Sequence, residues 1–166
     1  FEGLRSLIDE VQAGDGPAGA PTPSEGERLL RQGIGLMAAG LPREALQPLQ
    51  RARMALPLSI AAQLAFARAT LAASDPLDLG GHALRQVIAA LESADQLGER
   101  LPDAAAITAL CRGLLARDAG DLHQAERELQ TSAQLNPQLS AAWRGLAALA
   151  LTRNAYDETA EYCRRA

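Results

Sequence analysis

The residues able to carry acid–base, nucleophilic or metal chemistry are few and scattered in this sequence. His82 and His123 each stand near the predicted start of a helix, where we expect them to face solvent. Cys111 and Cys163 lie far apart, form no Cys-x-x-Cys pair and have no histidine at metal-ligand spacing. We therefore predict two free, buried thiols and neither a metal site nor a cofactor.

Glycines and carboxylates do not supply a catalytic set either. The Gly-Ile-Gly at Gly33–Gly35 lies inside a predicted helix, follows no strand and lacks the lysine of a phosphate-binding loop. The acidic residues are spread along helix faces, as a solvated helical surface requires. Because no Ser/His/Asp or Cys/His set falls into one pocket, we predict that the protein is not an enzyme.

The composition predicts an all-α fold. Apolar residues make up 48% of the 166 residues but aromatic residues only 3%, so the core must be built from alanine and leucine. These are strong helix formers, and no strand-like alternation persists along the chain. The absence of lysine among the basic residues indicates a GC-rich bacterial source.

Charge and hydropathy limit the partners. The net charge is −4 and no basic stripe is present, so we expect no nucleic-acid partner. No apolar run approaches the ~20 residues that span a bilayer, which predicts no membrane insertion. With no secretory signal in view, the predicted location is cytoplasmic, and a periplasmic location is the alternative.

Helix start and stop signals organise the chain. Residues 1–12 form a predicted amphipathic helix, residues 13–23 a Gly/Pro linker, and residues 24–166 an array in which Ser24 and Glu27 form a capping box. We predict eight helices in this array, arranged as four antiparallel pairs. They cover residues 25–39, 42–55, 60–73, 80–97, 103–120, 122–135, 140 to about 153, and 155–166.

One spacing recurs within the array. Two segments place Gly, Ala, Leu and Pro at steps of 5, 4 and 8 residues, at Gly40–Pro57 and again at Gly120–Pro137. The small residue lets two helices approach closely, the leucine fills the seam between them, and the proline ends the second helix. One such pair cannot bury its apolar face alone, so pairs must stack.

These residues resemble the tetratricopeptide repeat (TPR), and the chain is similar to a bacterial TPR-domain protein. The resemblance implies a right-handed α-solenoid of helix pairs with a 34-residue repeat. The units are 26–59, 60–105, 106–139 and a truncated 140–166. The second unit is expanded by 12 residues, which we assign to the segment around Ser74–His82 and to a lengthened second helix.

The resemblance also implies a function and a site. The first helix of each pair lines a concave groove, which would bind a peptide or helix of a partner protein. The implied contacts are Leu30, Ile34, Leu64, Arg68, Leu110, Leu114, Arg144 and Ala148.

Three further hypotheses follow from the same interpretation. The amphipathic helix Phe1–Gln12 could dock into the groove of its own chain or of a neighbour, giving self-association. Alternatively, the array could be a regulatory or substrate-docking region of a larger bacterial enzyme, such as a glycosyltransferase or sulfotransferase. It could also be an envelope assembly factor.

Overall fold

Eight α-helices and one short 3-10 helix make up the part of the chain that the computed structural model describes, residues 22–98 and 102–166, and no strand occurs there. The helices are α1 Pro23–Ala38, α2 Pro42–Ala55, α3 Ile60–Ala73, α4 Gly81–Gln96, α5 Pro102–Asp118, α6 Leu122–Leu135, α7 Ser140–Thr152 and α8 Tyr156–Arg165. The predicted N-terminal helix Phe1–Gln12 and all but the end of the predicted linker lie outside the described residues.

Local capping chemistry sets where two of these helices begin. The hydroxyl of Thr22 accepts a hydrogen bond from the backbone N–H of Glu25 at 3.3 Å, so the cap of α1 lies two residues before the predicted Ser24. The Ser24–Glu27 capping box is therefore wrong. Asp121 accepts from the N–H of Gln124 at 2.9 Å, which confirms it as the cap of α6.

The helices stack as a right-handed α-solenoid of antiparallel pairs. Each helix packs on the next along the chain, and α1 also packs on α3 and α5 on α7. The resemblance to the TPR assigns the first helices of the pairs, α1, α3, α5 and α7, to the concave face, and we use this name for the face that they form. Of the successive first helices, α3 and α5 make the fewest close approaches.

In two helix pairs, a glycine of the first helix lies against a leucine of the second helix. A Cβ added to Gly33 on α1 would lie 2.4 Å from Leu49 Cδ2, and one added to Gly113 on α5 would lie 2.8 Å from Leu129 Cγ. Both leucines are fully buried. The glycines therefore give the two helices of each pair room to approach, and the leucines fill the space between them.

The expanded unit differs from the others in how its helices are joined. The connection between α1 and α2 is the short segment 39–41, whereas residues 74–80 join α3 to α4 and contain the 3-10 helix Pro76–Asp78. In addition, α5 begins at Pro102, ahead of the predicted unit start at residue 106. The extra residues thus lie in a long connection, in α4 and in an added first turn of α5.

A buried polar contact ties α5 to α6. Ser132 stands where the repeat usually has alanine, and its side chain is fully buried. Its hydroxyl donates a hydrogen bond to the carbonyl of Ala106 at 2.8 Å. A buried hydroxyl needs a hydrogen-bond partner. The neighbouring helix supplies it, so serine is accommodated at this motif position.

Candidate partner-binding surface

The residues able to carry acid–base, nucleophilic or metal chemistry do not lie together in one site. His82 and His123 are exposed, each as the second residue of its helix. Burial raises the pKa of the Cys111 thiol to about 12, which keeps it protonated and unreactive. Cys163 is free but exposed, so its predicted burial is wrong: it lies on α8, and α8 has no buried residue.

Two further features bear on the site. Across residues 22–98 and 102–166, no three His, Cys, Asp or Glu side chains are placed to hold a metal ion. None of the described helices combines the length and apolar character that crossing a bilayer requires.

The N-terminal half of the concave face carries four of the predicted contact residues. Leu30 and Ile34 lie on α1, and Leu64 and Arg68 lie on α3, the first helix packed next to it. Leu30 and Leu64 are partly buried against the core, whereas Ile34 is 47% exposed and Arg68 is exposed. We call these four residues the open half of the concave face.

The C-terminal half of the concave face corrects the prediction. Leu110 and Leu114 on α5 are 1% and 0% exposed and belong to the hydrophobic core, so they are not available to a ligand. Leu77 and Leu79, from the long connection before α4, pack against the same core cluster. The added connection, which the repeat motif does not contain, thus contributes apolar side chains to the core around α5.

We call residues 74–80 the strap. The carboxylate of Asp75 forms an ion pair with Arg144 on α7, in which both guanidinium nitrogens donate, one of them at 3.2 Å. The carbonyl of Leu77 accepts a hydrogen bond from Arg117 Nη2, near the end of α5, at 3.0 Å. The strap is therefore joined to two first helices that follow it in the array.

The path of the strap follows from these contacts. Asp75, two residues after the end of α3, contacts α7, and Leu77, two residues further on, contacts the end of α5. Arg144 is therefore already paired within the chain, and Ala148, one turn further along α7, is partly buried. The hydrogen bond from Arg144 also lowers the pKa of Asp75.

A cleft in the described part of the chain also borders α5. It has a volume of about 790 Å³ and is bounded by α4, α5 and α6, with Ala105 from the added turn of α5 in its wall. Its rim carries Glu92 and Asp95, and Arg112 forms an ion pair with Glu92 at 2.8 Å. The sequence analysis missed this cleft.

Comparison with solved structures agrees with the helix arrangement. A crystal structure of MamA matches with a TM-score of 0.51 at 20% identity, over 98% of this chain and 83% of that one. A second MamA structure matches with a TM-score of 0.52 at 21% identity, over 86% and 72%. The fold is a TPR-like α-solenoid. A third structure, Pseudomonas aeruginosa PilF, has a TM-score of 0.49 at 20% identity, over 86% and 75%.

Sequence comparisons do not extend this result. No family model matches the chain, and no curated protein matches it. At the identities of the structural matches the likeness shows the fold alone. The assignment of a binding surface must therefore be argued from the side chains of the TPR-like array itself.

Proposed function

We propose that this TPR-like array is a non-enzymatic scaffold that binds a peptide or helix of a partner protein on the open half of its concave face. The contacts in this proposal are Leu30, Ile34, Leu64 and Arg68. The observation that supports it most directly is Ile34, a large apolar side chain 47% exposed on the face that the first helices form. An exposed apolar group beside a charged one suits recognition of an amphipathic segment.

The chemistry of the four residues suggests how the partner is held. Leu30 and Leu64 are partly buried, so they offer apolar surface that is already fixed by packing on the core. Arg68 is exposed and forms no ion pair with any of residues 22–98 and 102–166. A guanidinium in this state can pair with a carboxylate of the partner in a bidentate manner.

Two predicted contact residues stand apart from this set. Arg144 and Ala148 lie on α7, beyond the strap, and Arg144 is paired with Asp75. We therefore leave them, together with the buried Leu110 and Leu114, out of the contacts that a partner makes with the protein in this conformation.

An affinity pull-down with matched variants tests the proposal. Ile34→Glu and Arg68→Glu change the open half, and Met54→Glu is the control because Met54 is 66% exposed on the second helix α2. We expect a partner that the wild type and Met54→Glu retain and both other variants lose. For a side chain that contributes about 2 kcal/mol, the affinity falls about 30-fold.

Circular dichroism and thermal unfolding of each variant show whether the fold is intact. If Ile34→Glu and Arg68→Glu fold and keep every partner of the wild type, the proposed surface is wrong. The regulatory-region and envelope-factor hypotheses need the same contact surface, so this result bears on all three functions.

Self-association through Phe1–Gln12 stays a prediction, because that segment lies outside the described residues. Sedimentation of the full chain and of a chain lacking residues 1–19 tests it. Equal oligomeric states would remove the hypothesis.

A further inference from the structure

We propose that the strap, residues 74–80, is a built-in cover for the C-terminal half of the concave face, and that the Asp75–Arg144 ion pair is its clasp. The inference concerns regulation of the surface proposed above and rests on that proposal for its biological meaning. The existence of the cover itself can be measured without any partner.

The geometry of the strap supports a cover rather than an ordinary loop. A three-residue segment, 39–41, is enough to connect α1 to α2, so the seven residues 74–80 exceed what the turn requires. The strap also extends away from its own helix pair to contact α5 through Leu77 and α7 through Asp75. The strap therefore links its own helix pair to the two first helices that follow it in the array.

The contacts of the strap differ in strength. Leu77 and Leu79 are partly buried, whereas the side chains of Asp75 and Arg144 are 37% and 42% exposed. An exposed ion pair contributes little and is screened by salt. The strap is thus attached to α7 by its weakest contact, which is what an opening element requires.

One substitution can remove the Asp75–Arg144 ion pair while keeping the hydrogen bond that shapes the backbone of the strap. The Oδ1 atom of Asp75 also accepts a hydrogen bond from the N–H of Leu77 at 3.0 Å, which shapes the 3-10 turn. Asp75→Asn keeps an oxygen for this bond and removes the charge. Asp78→Asn is the matched control, because Asp78 is an exposed carboxylate in the same 3-10 helix and has no ion pair with the described residues.

Hydrogen exchange of the full chain is the first measurement. Asp75→Asn and Arg144→Gln should each raise the exchange rate of the strap amides about 1.5- to 5-fold, the range for an exposed ion pair. The double variant should exchange no faster than either single variant, because both remove the same contact. Asp78→Asn and the amides of α1 should exchange as in the wild type.

Thiol labelling is the second measurement, because Cys111 is fully buried on α5, which the strap contacts at Arg117. In a Cys163→Ser background, N-ethylmaleimide should label Cys111 faster in Asp75→Asn than in Asp78→Asn. If exchange and labelling are the same in Asp75→Asn, Arg144→Gln and Asp78→Asn, the cover does not exist and the proposal is overturned.

The regulatory part is tested with the partner that depends on Ile34. Asp75→Asn should change its affinity 2-fold or more, and Asp78→Asn should leave it unchanged. An unchanged affinity despite faster strap exchange overturns the regulatory role. If no Ile34-dependent partner exists, the proposed function fails, and that failure is visible separately from the exchange and labelling results.

Discussion

The pair α1–α2 and the pair α3–α4 perform the same packing task with different connections. At the end of α1, Gly40 adopts a φ of 75°, and the N–H of Leu41 bonds to the carbonyl of Leu36 at 2.9 Å. At the end of α3 no such glycine follows, and Arg43 from α2 donates instead to the carbonyl of Ala73 at 2.9 Å. The backbone of the turn after α1 satisfies the end of that helix within three residues. The end of α3 is satisfied by a side chain of α2, so the connection after α3 does not have to form such a turn.

This difference underlies the proposed cover of the C-terminal half of the concave face. In the first pair, the chain reverses within residues 39–41 and Ile34 stays exposed. In the second pair, the freed connection becomes the strap and contributes Leu77 and Leu79 to the core. An insertion of a few residues can therefore change a binding surface without changing the helix pairs themselves.

The largest expected effect is on the free energy of unfolding, and it compares a contact between two paired helices with the strap. Leu129 is fully buried between Gly113 and Gly145, so Leu129→Ala should lower the free energy of unfolding by about 2–5 kcal/mol. Leu77 is only partly buried in the strap, and Leu77→Ala should cost about 1 kcal/mol. Urea unfolding measures both. Equal losses would mean that the strap is held as firmly as a helix–helix contact and is not a cover.

A smaller effect should distinguish two glycines of the same helix. A Cβ on Gly33 would lie 2.4 Å from Leu49, so Gly33→Ala should destabilise the protein by about 1–3 kcal/mol. A Cβ on Gly35 meets no atom within 4 Å, and Gly35→Ala should stabilise α1 by up to about 1 kcal/mol through helix propensity. Thermal unfolding of the two variants gives the sign of each change. A stabilising Gly33→Ala would show that the seam is not closely packed.

The smallest effect concerns the short turns. Gly120 has a φ of 82°, and Asn154 takes the corresponding left-handed position at a φ of 59°. Gly120→Ala should cost about 1 kcal/mol, because a Cβ is strained there. Asn154→Gly should change the free energy of unfolding by less than about 0.5 kcal/mol, since asparagine tolerates this conformation. Urea midpoints compare the two. If Gly120→Ala is neutral, the self-capped turn does not explain the short connection.

The sequence predicted the regular helix pairs closely because their signals are local. The bounds of α2, α3 and α6 agree with the predicted segments, since proline, serine and aspartate act on the backbone within one turn. The cap of α1 was misplaced by two residues because Thr22 and Ser24 both precede a glutamate three residues later, and only the structure shows which hydroxyl is used.

The candidate site was predicted less well. Ile34 and Arg68 are exposed on first helices, where the resemblance placed them, but Leu110 and Leu114 are core residues. The motif assigns a position on a helix and assumes a regular neighbour. It cannot show how deeply the neighbouring elements bury that position.

The amino-acid sequence by itself determined the all-α class, the paired helices and the glycine–leucine seams, because each depends on residues a few positions apart. The tertiary structure decided which side chains of the first helices are exposed, as Ile34 is, and which are buried, as Leu110 and Leu114 are. It also decided that Asp75 and Arg144, which are 69 residues apart in the chain, form an ion pair. Local patterns determine the repeat, whereas exposure and long-range ion pairs depend on how the helices and the added segment pack.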